Sequence, residues 1–181
     1  TCGSDALVKI WSLLDIDTDN TRQAESPVAL DEPAATLRGH TQAVLSSALI
    51  DRGRNLVTSS RDGSVRLFDV PSQSAIHVFN VEESTPVNQC VVDTHHHSVG
   101  PTQDTRDVST ENKLIIAASN NGNVYLFDLR TRDRISTLTR ANGRPPANCC
   151  TSLGEHYIVA GHEGNGKLVL KIAYFNLGCR W

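Results

Sequence analysis

Apolar residues along this chain come in short runs broken by turn residues, and the arrangement repeats. Between residues 36 and 80 four runs follow in order, at 44–50, 56–60, 64–70 and 75–79. Val65, Leu67 and Asp69 alternate with Arg66, Phe68 and Val70, the period of two that a pleated strand needs. Arg52-Gly53-Arg54-Asn55 separates the first two runs and Arg61-Asp62-Gly63 the next two. Asp-Gly between strand-like runs is a strong hairpin signal, so the pattern predicts four antiparallel strands in about 40 residues.

Weaker copies flank this stretch. Thr1, Asp5 and Trp11 keep the relative spacing of Thr58, Asp62 and Phe68, so residues 1–12 read as the second and third strands of a preceding unit. Runs at 87–92, 114–119, 123–129 and 134–138 make a following one, in which Phe127-Asp128 repeats Phe68-Asp69. Spacing there places Asn121 at the position of Asp62, Ala117 at that of Thr58 and Glu83 at that of His40. A fourth unit opens at Ala147, with runs at 147–153, 157–160 and 167–175. Its Gly164-Asn165-Gly166 joins two strands and precedes no helix, so it reads as a hairpin turn rather than a phosphate loop.

With Gly39-His40 ahead of the first strand and Phe68-Asp69 ending the third, the central stretch resembles a WD40 propeller blade in which Phe replaces the usual Trp. The resemblance implies an all-β fold, a partial WD40 β-propeller of about three and a half blades of four-stranded antiparallel sheet. The units would be blade 1 in part (1–38), blade 2 (39–80), blade 3 (87–140) and blade 4 in part (147–175). Residues 1–166 would form the propeller portion and 167–181 an atypical C-terminal tail. Equivalent turns recur at roughly 60 residues against the roughly 40–45 of a compact repeat, and two long polar loops account for the excess. The missing initiator methionine and the absence of a Gly-His in the first copy point to a piece of a longer protein. The end in Gly178-Cys179-Arg180-Trp181, with no fourth strand, points to a truncated or mis-spliced terminus.

The same resemblance implies a structural hydrogen-bonded relay through His40, Thr58, Asp62 and Phe68, with Thr1, Asp5 and Trp11 as its counterparts in the preceding copy. Phe68 has no indole N–H, so the relay is expected to stop at Thr58, at a cost of about 0.5–1.5 kcal/mol net. In the third copy the polar relay is expected to be absent, leaving apolar packing and the Asn121-Gly122 turn. A catalytic His40–Asp62 pair is the competing reading, and the relay position already accounts for both residues.

Composition narrows the functional classes. The formal net charge is −3, without the excess of Lys and Arg that a phosphate-binding face requires, so no nucleic-acid partner is expected. No apolar run approaches the roughly 18 residues of a spanning helix. Asp5, Asp15, Asp17 and Asp19 replace the basic-then-apolar order of a signal peptide. A cytoplasmic protein is expected, with the nucleus as a second compartment, and no membrane partner. The five cysteines, Cys2, Cys90, Cys149, Cys150 and Cys179, include no Cys-x-x-Cys pair and read as free, mostly buried thiols.

Candidate metal chemistry is thin. Asp15-x-Asp17-x-Asp19 lies in an acidic loop over 15–32 and has the opening spacing of a calcium loop. Asn20 stands at its sixth position and Ser26 at its twelfth, where Gly and a bidentate Glu are needed. His95-His96-His97 offers imidazoles with no carboxylate placed by spacing to orient them, within a Ser/Thr/Asp/Gly-rich loop over 95–113. No paired carboxylates and no Ser/His/Asp set occur at meaningful spacing, so no catalytic residue, metal or cofactor is expected and the chain reads as non-enzymatic.

Two runs narrow the family further. Asp51-Arg52-Gly53-Arg54-Asn55, ahead of a Ser-rich second strand, and Asn148-Cys149-Cys150-Thr151 resemble the family of the proteasomal ATPase-associated factor, over about residues 1–165. That resemblance implies a scaffold that binds ATPase subunits of the 26S proteasome regulatory particle and chaperones or restrains its assembly. It marks no contact residue in this chain. A second resemblance, in Asp128-Leu129-Arg130, is to the Asp-x-Arg ending by which some WD40 substrate receptors dock to a cullin-type ubiquitin ligase.

Overall fold

The computed structural model describes residues 1–11, 32–93, 113–139, 145–152, 157–163 and 169–174. Within them the chain is built from thirteen strands: β1 (Val8–Ile10), β2 (Ala35–Leu37), β3 (Val44–Ile50), β4 (Asn55–Ser60), β5 (Ser64–Asp69), β6 (Ser74–Asn80), β7 (Val87–Asp93), β8 (Leu114–Ser119), β9 (Val124–Asp128), β10 (Arg134–Leu138), β11 (Ala147–Ser152), β12 (Tyr157–His162) and β13 (Val169–Tyr174). Short 3₁₀ turns cover Asp51–Gly53 and Glu82–Ser84. The strands form four antiparallel sheets in chain order, β1-β2, β3-β4-β5-β6, β7-β8-β9-β10 and β11-β12-β13. This is the expected all-β architecture of a partial propeller, and among the described residues no sheet closes on itself.

The strands form where β-branched and aromatic residues alternate between two faces, because among the described residues the two middle sheets pack on both sides and the outer two on one. Three apolar cores therefore lie between consecutive sheets. Val8 and Leu37 meet Val44, Leu56 and Phe68 in the first. In the second, Val57, Val65, Leu67 and Phe79 meet Val87, Ile115, Tyr125 and Phe127. In the third, Ile116, Ala118 and Leu126 meet Ala147, Cys150, Ile158 and Ala160.

The repeat is also written in the backbone. In the last three sheets the pairing of the first two strands slips at the same place, between Val44 and Ser46, Val87 and Gln89, and Ala147 and Cys149. Beside each slip, the residue after the second strand donates its N–H to the carbonyl just before the first: Arg61 to Ala43 at 2.9 Å, Asn120 to Pro86 at 2.8 Å and Glu163 to Pro146 at 2.9 Å. A bulge increases local twist, and repeating it at one rim curls each sheet alike. Gly63 lets consecutive units meet closely. Its φ is +78°, and a Cβ there would stand 2.5 Å from the Ser84 backbone.

Val169–Tyr174 pairs with β12 along its whole length, from Val169 opposite His162 to Tyr174 opposite Tyr157. A boundary drawn at 166 therefore cuts the third strand of the last sheet away from its partners, since continuous backbone pairing makes β13 part of that sheet.

Candidate functional site

Buried polar groups gather at the turn between the second and third strands of each unit. In the second sheet, His40 Nδ1 lies 2.9 Å from Asp62 Oδ2 and His40 Nε2 lies 2.8 Å from Thr58 Oγ1. The two side chains of the His40–Asp62 pair are only 1% and 6% exposed. Asp62 also accepts the Thr41 N–H at 3.0 Å, the Ser64 N–H at 2.9 Å and the Ser64 hydroxyl at 2.6 Å. Burial alone would raise its pKa. The bonds from Ser64, His40 and Thr41 outweigh that and hold the carboxyl down at about 2. Burial lowers the pKa of His40, against the pull of Asp62. The pair at neutral pH is thus a carboxylate and a neutral imidazole, with the ring proton on Nδ1 facing Asp62 and Thr58 donating to Nε2.

The relay goes no further. Phe68 is fully buried, in an edge-to-face contact with His40 at a centroid separation of 6.2 Å, and it offers the Thr58 hydroxyl no donor. The preceding copy keeps that last link, where Trp11 Nε1 donates to Thr1 Oγ1 at 3.2 Å. Its Asp5 also caps the turn, accepting the Leu7 N–H at 3.1 Å just as Asp62 accepts that of Ser64.

The third sheet departs from expectation. Asn121 accepts the Asn123 N–H at 3.0 Å, as the two aspartates do for their turns, and its Nδ2 donates to the Tyr125 hydroxyl at 2.8 Å. A polar network therefore replaces the relay, anchored on a fully buried tyrosine that the Arg134 guanidinium overlies at 6.0 Å. Spacing to the relay motif does not mark Tyr125. The available signal is an Asn four residues ahead of a Tyr across a tight hairpin. Ser60 and Ser119 form a second repeated tie, donating to the carbonyls of Ala43 at 2.9 Å and Pro86 at 3.0 Å.

Between sheets, Cys90 and Cys150 occupy matching places on β7 and β11. Each thiol points at a carbonyl of the preceding sheet, Val57 at 3.9 Å and Ile116 at 3.5 Å. Burial raises the Cys90 pKa to about 11 and pushes Cys150 higher still, so both are inert thiols, while Cys149 is exposed. Asp51, its side chain fully buried, accepts from Asn55 Nδ2 at 2.6 Å and pairs with Lys113, which ties the second sheet to the third.

These arrangements hold turns and sheets together. The His40 and Asp62 side chains are almost wholly covered, and every named contact on the pair fixes a turn or a strand. Among the described residues no group of three or more His, Cys, Asp or Glu could hold a metal ion. Asp15, Asp17 and Asp19, the histidines 95–97, Gly164-Asn165-Gly166 and Cys179 lie outside the described residues. No helix among the described residues is long and apolar enough to cross a membrane.

Comparison with known proteins agrees with this build. The family described as "WD domain, G-beta repeat" matches residues 31–69, the stretch from β2 to the end of β5. Striatin homolog of Dictyostelium discoideum is 25% identical over 146 residues, covering 78% of this chain and 16% of that protein. Striatin-4 of Homo sapiens is 27% identical over 144 residues, covering 80% and 17%. Target of rapamycin complex subunit LST8 of Saccharomyces cerevisiae is 24% identical over 137 residues, covering 61% and 45%. The chain spans less than half the length of these curated relatives. Residues 31–69 thus match a WD40 repeat and lie in a run of antiparallel sheets with the build of a partial β-propeller.

Proposed function

We propose that this chain is a non-enzymatic interaction scaffold, cytoplasmic and nuclear, whose partner is an ATPase subunit of the proteasome regulatory particle. The observation that carries the scaffold role is the buried relay. Its polar groups are spent on fixing turns, so the loops between strands form a rigid surface for another protein. One relative of this chain is named as a complex subunit, which fits that role.

The partner rests on the resemblance of the 51–55 and 148–151 runs to the proteasomal ATPase-associated factor. Both runs divide into a structural half and an exposed half. Asp51, Asn55 and Cys150 are buried, whereas Arg52, Arg54, Asn148, Cys149 and Thr151 face solvent. Affinity purification of the full-length protein, with mass spectrometry of what comes with it, tests the reading. Regulatory-particle ATPases without the proteolytic core support it, and their absence sinks it.

A specific observation keeps the substrate-receptor reading alive. Arg130 is exposed at the end of Asp128-Leu129-Arg130, while Asp128 is taken up in its own turn, accepting the Arg130 N–H at 2.7 Å. Recovery of a cullin and its adaptor, lost on Arg130→Ala, would shift the assignment to that class.

A further inference from the structure

Asn121-Gly122 is the sequence most prone to spontaneous loss of an amide, because glycine puts no side chain in the way of its own backbone nitrogen. In the reaction, the Gly122 nitrogen gives up its proton and attacks Asn121 Cγ. The Cγ–Nδ2 bond breaks, ammonia leaves, and a five-membered imide remains. Water then opens that ring at either carbonyl, giving aspartate or an isoaspartyl link at 121. No oxidant, reductant or enzyme is required.

Both reacting groups are tethered here. The Gly122 N–H is donated to the Ser119 carbonyl at 3.0 Å, and the glycine holds φ at +81°. The Asn121 amide is held at both ends, Oδ1 by the Asn123 N–H and Nδ2 by Tyr125, itself part of the core between the second and third sheets. Attack requires both tethers to let go. The product has a precedent in this chain, since the matching turns at 5 and 62 carry aspartate. With an aspartate at this position, Oδ1 would still accept from Asn123, and the Tyr125 hydroxyl would turn from acceptor to donor.

We propose that Asn121 is a latent deamidation site gated by the β8–β9 hairpin: protected while the turn is closed, and converted on opening to a mixture of isoaspartyl and aspartyl products, the second being the residue that the other two turns already carry. The intact protein is incubated at mildly alkaline pH in native buffer and in denaturant, and each Asn-Gly pair is followed by peptide mapping. In denaturant Asn121, Asn142 and Asn165 should convert at similar rates, because each precedes glycine. In native buffer Asn121 should convert at least about tenfold more slowly than in denaturant, since the rate scales with the population of the open hairpin. Equal native and denatured rates at Asn121 would overturn the gating. Tyr125→Phe releases one tether and should speed native conversion at Asn121 alone, and a folded variant with an unchanged rate would overturn the tether. Asn121→Asp should keep the wild-type thermal midpoint within a few degrees, and a loss of cooperative unfolding would overturn the claim that the product fits.

Discussion

Replacing Asp62 separates the two things that its carboxylate does, accepting protons and carrying charge. Its oxygens accept four hydrogen bonds, from His40, Thr41 and, twice, Ser64. Asp62→Ala removes all of them. The exposed Thr41 N–H can turn to water and the His40 Nδ1–H to the Ser64 hydroxyl 3.3 Å away, a longer bond than the one it loses, but the Ser64 N–H is left with no named acceptor. At about 1–3 kcal/mol for the unsatisfied buried donor and about 0.5–1.5 kcal/mol for the weakened His40 bond, the expected loss is about 2–4 kcal/mol. Asp62→Asn is gentler because the relay can run backwards. Asn Oδ1 still accepts from Ser64, and Nδ2 donates to His40 Nδ1. The imidazole then carries its proton on Nε2 and gives it to Thr58, whose hydroxyl turns to the Arg66 carbonyl 3.5 Å away. Only the Thr41 N–H then meets a donor, and the expected cost is about 1–2 kcal/mol.

Charge adds a pH signature. Because the folded carboxyl titrates at about 2 rather than 3.8, the unfolded chain takes up its proton first as pH falls. The carboxylate's contribution of about 2 kcal/mol is complete above pH 3.8 and lost as pH drops through about 2. The gap between wild type and Asp62→Asn should therefore be constant above pH 6.5, widen below it because the variant's His40 has lost the carboxylate that favours its charged form, and narrow again as pH drops from 3.8 through about 2. His40, whose folded pKa lies below 6.5, makes both proteins lose stability as pH falls below 6.5 toward that lower value. Urea unfolding across pH measures the gaps, and nitrogen shifts of the His40 ring report the tautomer. Equal losses for Ala and Asn, with the ring proton still on Nδ1 in the Asn variant, would refute the reversible-relay reasoning.

Four further outcomes follow from the same geometry. Phe68→Trp should restore the missing donor to Thr58, and a double-mutant cycle with Thr58→Val should show a coupling of about 0.5–1.5 kcal/mol, whatever the cost of the larger ring. Lys113→Met strands the buried Asp51 carboxylate and should cost about 3–5 kcal/mol in urea unfolding, most of it recovered by adding Asp51→Asn. Alkylation of the native protein at neutral pH should modify Cys149 and spare Cys90 and Cys150, and labelling of Cys150 before unfolding would contradict its burial. Gly63→Ala forces both a left-handed φ and a contact with the Ser84 backbone, so it should cost more than the about 1 kcal/mol of a glycine replaced in open space.

What could be read from the sequence was whatever is local. The strands of the second sheet are legible from alternation and turn residues, because a period of two and an Asp-Gly hairpin are decided within a few neighbours. The turn chemistry of Asp5, Asp62 and Asn121 is likewise local, each side chain reaching the N–H two residues on. The site features that escaped are non-local. Asp51 reads as an ordinary turn residue, yet its carboxylate is buried against Lys113 of the next sheet, a pairing that no spacing within the turn encodes. Tyr125 reads as a strand aromatic, and only the fold shows that its hydroxyl takes over the third turn. Leu49 makes the same point from the apolar side. It stands on β3 where Val92 stands on β7, and both belong to runs that look equally buried. Val92 packs on the core between the second and third sheets, whereas Leu49 is 63% exposed. The face of β3 that carries Leu49 looks toward the first sheet, where the described residues supply only β1 and β2. A hydrophobic pattern specifies that a face wants cover, and neighbouring strands decide whether it is covered.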